Sequence, residues 1–117
     1  MENITYEKFK EIDLKVATIL QAEKVEGSDK LVKLQVDLGD PSADSGQGLG
    51  QRQIVAGIGL AYVPEDLVGK QIIIVANLEP KMLMGQESQG MLLAASENGL
   101  PILLTPDKPA PNGCEVK

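Results

Sequence analysis

Two runs of alternating side chains constrain this chain more than any other feature. Over 12–17, Ile12, Leu14 and Val16 alternate with Asp13, Lys15 and Ala17. Over 32–38, Val32, Leu34, Val36 and Leu38 alternate with Lys33, Gln35 and Asp37. Successive side chains of an extended backbone point to opposite sides, so period two marks a strand with one face on a core and the other toward water. Gly27, Ser28 and Asp29 supply turn chemistry between the runs. The two are therefore expected to pair antiparallel, with Ile12, Leu14 and Val16 on the core side of the first.

The remaining segments extend this pattern. A third strand is expected over 52–58, a nearly all-apolar fourth over 71–76, a fifth over 89–95 and an edge strand over 101–105, where Pro101 cannot donate to a ladder. Pro64, Glu65, Asp66 and Leu67 read as one helical turn, with Pro preset at its start and Gly69 closing it. Thr5 can cap a short helix through Phe9. Residues 40–51, rich in Gly, Ser and Asp, are expected to form a flexible loop. Three strands, a short helix and two more strands predict an all-β fold. It is a five-stranded Greek-key barrel of the oligonucleotide/oligosaccharide-binding (OB) kind, with the helix between strands three and four, an N-terminal helical turn and a C-terminal extension. An open sandwich is the alternative, but closure removes exposed edges in a chain this short. All 117 residues are read as one domain.

Composition narrows the chemistry. With no histidine and one cysteine, the chain lacks the commonest general base, the commonest zinc ligand and any thiolate cluster. No cofactor and no metal are expected. Cys114 has no partner for a disulfide, and no apolar run approaches the roughly 20 residues that cross a bilayer. A soluble cytoplasmic protein without a membrane partner is the expectation. Ser88 could act as a nucleophile only with Lys81 as its base, and a hydrogen-bonding role for Ser88 at the barrel rim is preferred. Gly46, Gly48 and Gly50 precede a strand rather than a helix, which argues for a loop rather than a phosphate cradle.

A net charge of -6 lowers the expectation of a polyanionic partner, yet the local field decides. Lys30, Lys33 and Arg52 lie on or beside the second and third strands, and Lys15 on the first. Together they are expected to converge on one barrel face and contact phosphate, although Lys15 and Asp13 could instead form a surface ion pair. Only Tyr6, Phe9 and Tyr62 are aromatic, too few to stack successive bases of a single strand. An RNA ligand would then be read by shape and backbone, with one unstacked base at the rim near Asn77, Ser88 and Gln89. Met82, Met84 and Met91 flank this rim and either line an adaptable pocket or, for Met91 above all, fill core space.

The segment 76–95, with its Ser-Gln-Gly-Met, together with 9–17, 25–39, 52–58 and 64–70, resembles the tRNA-binding domain family. That family occurs at the C-terminus of bacterial methionyl-tRNA synthetases and as free-standing, structure-specific tRNA-binding proteins. The resemblance implies a non-catalytic, largely sequence-independent grip on the outside corner of folded tRNA by a homodimer, free-standing or beside a synthetase catalytic domain. It maps tRNA contact or rim shape onto Lys15, Lys30, Lys33, Arg52, Asn77, Lys81, Ser88 and Gln89. It places the dimer interface at Tyr6 and Phe9 and in 100–116, with Leu100 and Ile102 as contacts. Lys15 stands where many members carry Arg, keeping the charge but losing the bidentate fork. The competing reading within the same barrel family is a small chaperone or export factor that holds unfolded polypeptide.

Overall fold

In the computed structural model, residues 1–40 and 49–117 are described. The expected loop over 40–51 and its glycine spacing fall largely on residues 41–48, outside the described residues. The flanking chain is already ladder-like, because Leu38 N–H donates to the Gly50 carbonyl at 2.8 Å and Gly50 N–H to that of Gly39 at 2.7 Å.

The elements in chain order are α1 (Tyr6–Lys10), β1 (Leu14–Lys24), β2 (Val32–Asp37), β3 (Gln51–Ala56), α2 (Pro64–Leu67), β4 (Gln71–Val75), β5 (Lys81–Leu83), β6 (Gln86–Ser88), β7 (Met91–Leu92), β8 (Ala94–Glu97), β9 (Leu100–Leu103) and β10 (Glu115–Val116). The main sheet runs β3-β2-β1-β4-β7, all antiparallel, with β10 added on β1. Contacts from β3 to β6 and β7 curl this sheet into a nearly closed, five-stranded OB-like barrel. Ala17, Ile19, Val32, Leu34, Val36, Ile54, Ile72 and Ile74 fill it, and Leu67 of α2 reaches the same core, placing the helix between the third and fourth strands as expected. Thr5 Oγ1 caps α1 by accepting from Lys8 N–H at 3.2 Å.

The first strand departs from its expected phase. Ala17 and Ile19 are fully buried in the core, so Lys15, two residues before Ala17, is on the inward register, paired with the buried Ile74. Val16 is buried on the opposite side, and along the strand edge Gly113 N–H donates to its carbonyl at 2.7 Å and its own N–H donates to the Cys114 carbonyl at 3.0 Å. A strand covered on both faces loses the one-sided alternation that would reveal its phase. The chain's C-terminus lies alongside β1 in the plane of the sheet, continuing the β10 pairing through the Val16 backbone. β1 also runs past its expected end to Lys24, and a register shift between Ile19 and Gln21 lets it bend from β4 onto β2.

The expected fifth strand over 89–95 is divided. Gly90, at φ 142, crosses so close beneath β4 that a Cβ there would lie 2.8 Å from the Val75 carbonyl oxygen. Only β7 pairs with β4, and the chain then leaves the barrel to build a two-stranded hairpin from β8 and β9. A second hairpin, β5–β6, comes from residues read as a rim.

Candidate nucleic-acid interface

Sheet register separates the four strand-associated cations. Lys33 is opposite Val55 and Arg52 is opposite Val36, three residues away along β2, so the two side chains leave opposite faces of the β2–β3 ladder. The expected convergence on one face is therefore corrected. A three-residue spacing in a period-two element cannot place both charges on the same side.

Two of the cations are also compensated. Lys33 Nζ lies 2.8 Å from Glu23 Oε1, and Lys15 Nζ lies 3.7 Å from Asp13 Oδ1 with only 12% of the Lys15 side chain exposed. Arg52 turns inward and donates to the Ala76 carbonyl. Beside it, Asn77 accepts from Asp13 N–H at 2.8 Å and donates to the Glu11 carbonyl at 2.6 Å. Arg52 and Asn77 thus tie the starts of β3 and β1 to the chain just past the end of β4.

Ser88 and Gln89 close the barrel seam. Ser88 is 4% exposed; its Oγ accepts from Val55 N–H at 3.0 Å and donates to the Gly90 carbonyl at 2.8 Å. Its hydroxyl is occupied on both counts, so the hydrogen-bonding role expected of Ser88 is spent on its own backbone. Gln89 N–H donates to the Gln53 carbonyl at 2.7 Å, and Gln89 Oε1 accepts from Gln53 N–H at 2.9 Å. The Gln53 side-chain amide adds a bond to the Glu87 carbonyl at 2.8 Å. These bonds press the β5–β6 hairpin against β3, as a side-chain and backbone substitute for a continuous ladder.

The pressed hairpin walls a cleft of about 350 Å³ against the end of β3 and the β7–β9 region. Leu78, Leu83, Met91 and Pro101 make it apolar, and Glu79 and Lys81 bring charge to it. Lys30 lies outside its lining but next to it, its Cε within 2.9 Å of where a Cβ on the lining Gly57 would sit. Among the described residues, neither Lys30 nor Lys81 is in an ion pair. Sequence reasoning named Lys30 and Lys81 but missed Leu78, Glu79 and Leu83. Gly85 was the available signal that 81–88 folds back as a hairpin, weakened because Met84 precedes it where Asn or Asp is favoured.

The aromatic side chains lie elsewhere. Tyr6 is exposed with the Lys10 ammonium 5.4 Å from its ring centroid, and Phe9 is half-buried in a groove beside Glu115, Val116 and Lys117. The Tyr62 hydroxyl accepts from Leu103 N–H at 3.0 Å. Leu100 and Ile102 alternate along β9 with 48% and 47% exposure, and Leu104 continues their stripe. The tail of the expected interface segment also bonds its own barrel, with Asn112 Oδ1 accepting from Thr18 Oγ1 at 2.6 Å and Ala110 N–H donating to Gln71 Oε1 at 2.9 Å. Among the described residues, no group of three or more His, Cys, Asp or Glu side chains could hold a metal ion, and no helix is long and apolar enough to cross a membrane.

A family model described as "Putative tRNA binding domain" matches residues 14–115. A methionine–tRNA ligase of Methanothrix thermoacetophila is 51% identical over 114 residues, 97% of this chain but 16% of that protein. The chain thus spans about a sixth of that relative's length. Among solved structures, a MetRS-related protein from Pyrococcus horikoshii superposes with a TM-score of 0.87 at 37% identity, covering 100% of both chains. The chaperone CsaA of Bacillus anthracis superposes at 0.86 with 33% identity, over 99% of this chain and 100% of that one.

Proposed function

The chain belongs to the tRNA-binding domain family, and from that footing we propose that it binds folded tRNA as a non-catalytic module, largely without regard to sequence. In this reading it acts in the cytoplasm, as a free-standing protein or as the appended part of a methionyl-tRNA synthetase, and raises the tRNA concentration at a catalytic domain. The observation that carries the reading is the pair of uncompensated lysines, Lys30 and Lys81, at one preformed cleft of an otherwise acidic molecule. Phosphate contact falls first to them. Lys33 contributes by exchanging Glu23 for phosphate, while Lys15, Arg52, Asn77, Ser88 and Gln89 shape and brace the surface.

The module works as a homodimer in this proposal. The β8–β9 hairpin presents Leu100 and Ile102 as an apolar stripe suited to a second copy, and α1 adds Tyr6 and Phe9. Two modules joined this way present two lysine-edged clefts to one tRNA.

A titration of total tRNA by gel shift at low and moderate salt tests the reading. Affinity should fall steeply, because roughly 0.7 to 0.9 counterion is released for each neutralised phosphate. The likeness to a chaperone and the apolar cleft favour one competing reading, the capture of unfolded polypeptide. Salt-insensitive binding of a denatured protein with no retention of tRNA would establish that alternative.

A further inference from the structure

We propose that the cleft between the β5–β6 hairpin and the end of β3 holds a single unstacked nucleobase of the RNA, its donor-bearing edge at Glu79 and its neighbouring phosphates at Lys30 and Lys81. This rests on the tRNA-binding reading above and specifies what part of the RNA enters the protein.

The volume of about 350 Å³ lies at the lower end of the range of about 300 to 1,000 Å³ for small-ligand sites. That suits one ring system with its sugar left outside. Leu78, Leu83, Met91 and Pro101 supply apolar surfaces for the faces of a ring, and a methionine sulfur makes favourable contact with an aromatic edge. No aromatic residue lines the cleft, so nothing there continues a stack. One base enters, and a run of bases does not.

Charge separates a base from the other apolar occupant, a side chain of an unfolded polypeptide. Such a side chain would use the walls but leave the exposed charges of Glu79, Lys30 and Lys81 without a role. A nucleotide employs all three. Two acceptor oxygens on the Glu79 carboxylate match the adjacent N1–H and N2–H donors of guanine, whereas uracil offers one N–H between two carbonyls that face the carboxylate unfavourably. The rigid hairpin supports this choice, because Ser88 and Gln89 hold it on β3 before any ligand arrives and little ordering cost remains.

The test is methyl NMR on the full chain with labelled methionine and leucine, titrated with GMP, UMP and then total tRNA. GMP is expected to move the Met91 and Leu83 methyl signals saturably while leaving Met1 and Met82 in place, and tRNA to move the same signals. UMP should bind at least about fivefold more weakly, the lower bound for one bidentate base contact. Glu79→Gln should erase that preference without changing the fold, as the unmoved remainder of the spectrum reports. Equal responses to GMP and UMP overturn the role of Glu79. Tight tRNA binding with silent Met91 and Leu83 signals overturns the cleft proposal and leaves the tRNA reading intact. Absence of tRNA binding removes both. A reduced, carboxymethylated protein that moves Met91 where GMP and tRNA do not assigns the cleft to polypeptide and overturns the proposal.

Discussion

The two hairpins outside the main sheet share a turn geometry and differ in everything attached to it. β5–β6 turns at Met84 (φ 48) and Gly85 (φ 80), and β8–β9 turns at Asn98 (φ 52) and Gly99 (φ 80). Both fit the two-residue turn with positive φ at each central position, for which Asn-Gly is the favoured pair. Asn98–Gly99 obeys local preference. Met84–Gly85 does not, since a side chain without a local hydrogen bond costs about 1 to 2 kcal/mol in the left-handed region. The strained hairpin is the one fastened to β3 and beside the cleft, its Met84 methyl 3.4 Å from the position a Cβ would take on Gly27. The relaxed hairpin carries the exposed Leu100 and Ile102. Local strain thus accompanies tertiary fastening, and a locally satisfied hairpin is left free to present a surface.

Six substitutions can break or sharpen this contrast. Gly90→Ala should cost at least about 3 kcal/mol in denaturant unfolding, because its Cβ meets the Val75 carbonyl behind the fastened hairpin. Gly99→Ala, with nothing within 4 Å of the added Cβ, should cost only about 1 kcal/mol of backbone strain. Equal costs would show that the seam yields freely. Next, Ser88→Ala strands the Val55 N–H and the Gly90 carbonyl and should lose about 1 to 3 kcal/mol. The exposed Ser96→Ala in β8 should stay within about 0.5 kcal/mol.

Ile102→Asp addresses the presented surface rather than the fastening. It should weaken self-association at least tenfold, or about 1.4 kcal/mol, in light scattering while the thermal unfolding of the monomer hardly changes. An intact dimer would move the interface elsewhere. The one expected gain comes from Met84→Asn, which should stabilise the protein by about 1 kcal/mol, and a loss instead would mean that the Gly27 contact outweighs the turn strain.

Much of the barrel was legible because its inner strands are one-sided. Val32, Leu34, Val36 and Leu38 alternate in sequence and are all fully buried, and Pro64 to Leu67 form the helix between the third and fourth strands. Legibility failed wherever a second layer intervened. Val16 looked like core and is buried, but on the side away from Ala17 and Ile19, so Lys15 changed faces unseen. The hairpins escaped because each strand has only three or four residues, too short for a period to register, and only their turns carry a signal. For the site, residue type nominated the right kinds of side chain but not their employment. Ser88, Asn77 and Gln89 are polar residues near a rim whose hydrogen bonds go to the protein itself, and no sequence pattern distinguishes a polar group that binds a ligand from one that binds its own backbone.

The central claim is that RNA phosphate meets the uncompensated lysines at the cleft. Its most direct test is the slope of log affinity for tRNA against log salt concentration, compared between the native chain and a Lys30→Gln/Lys81→Gln variant. The slope should become shallower by about two, one for each lysine removed, with affinity at moderate salt at least tenfold weaker. An unchanged slope and affinity in the correctly folded variant would contradict the account.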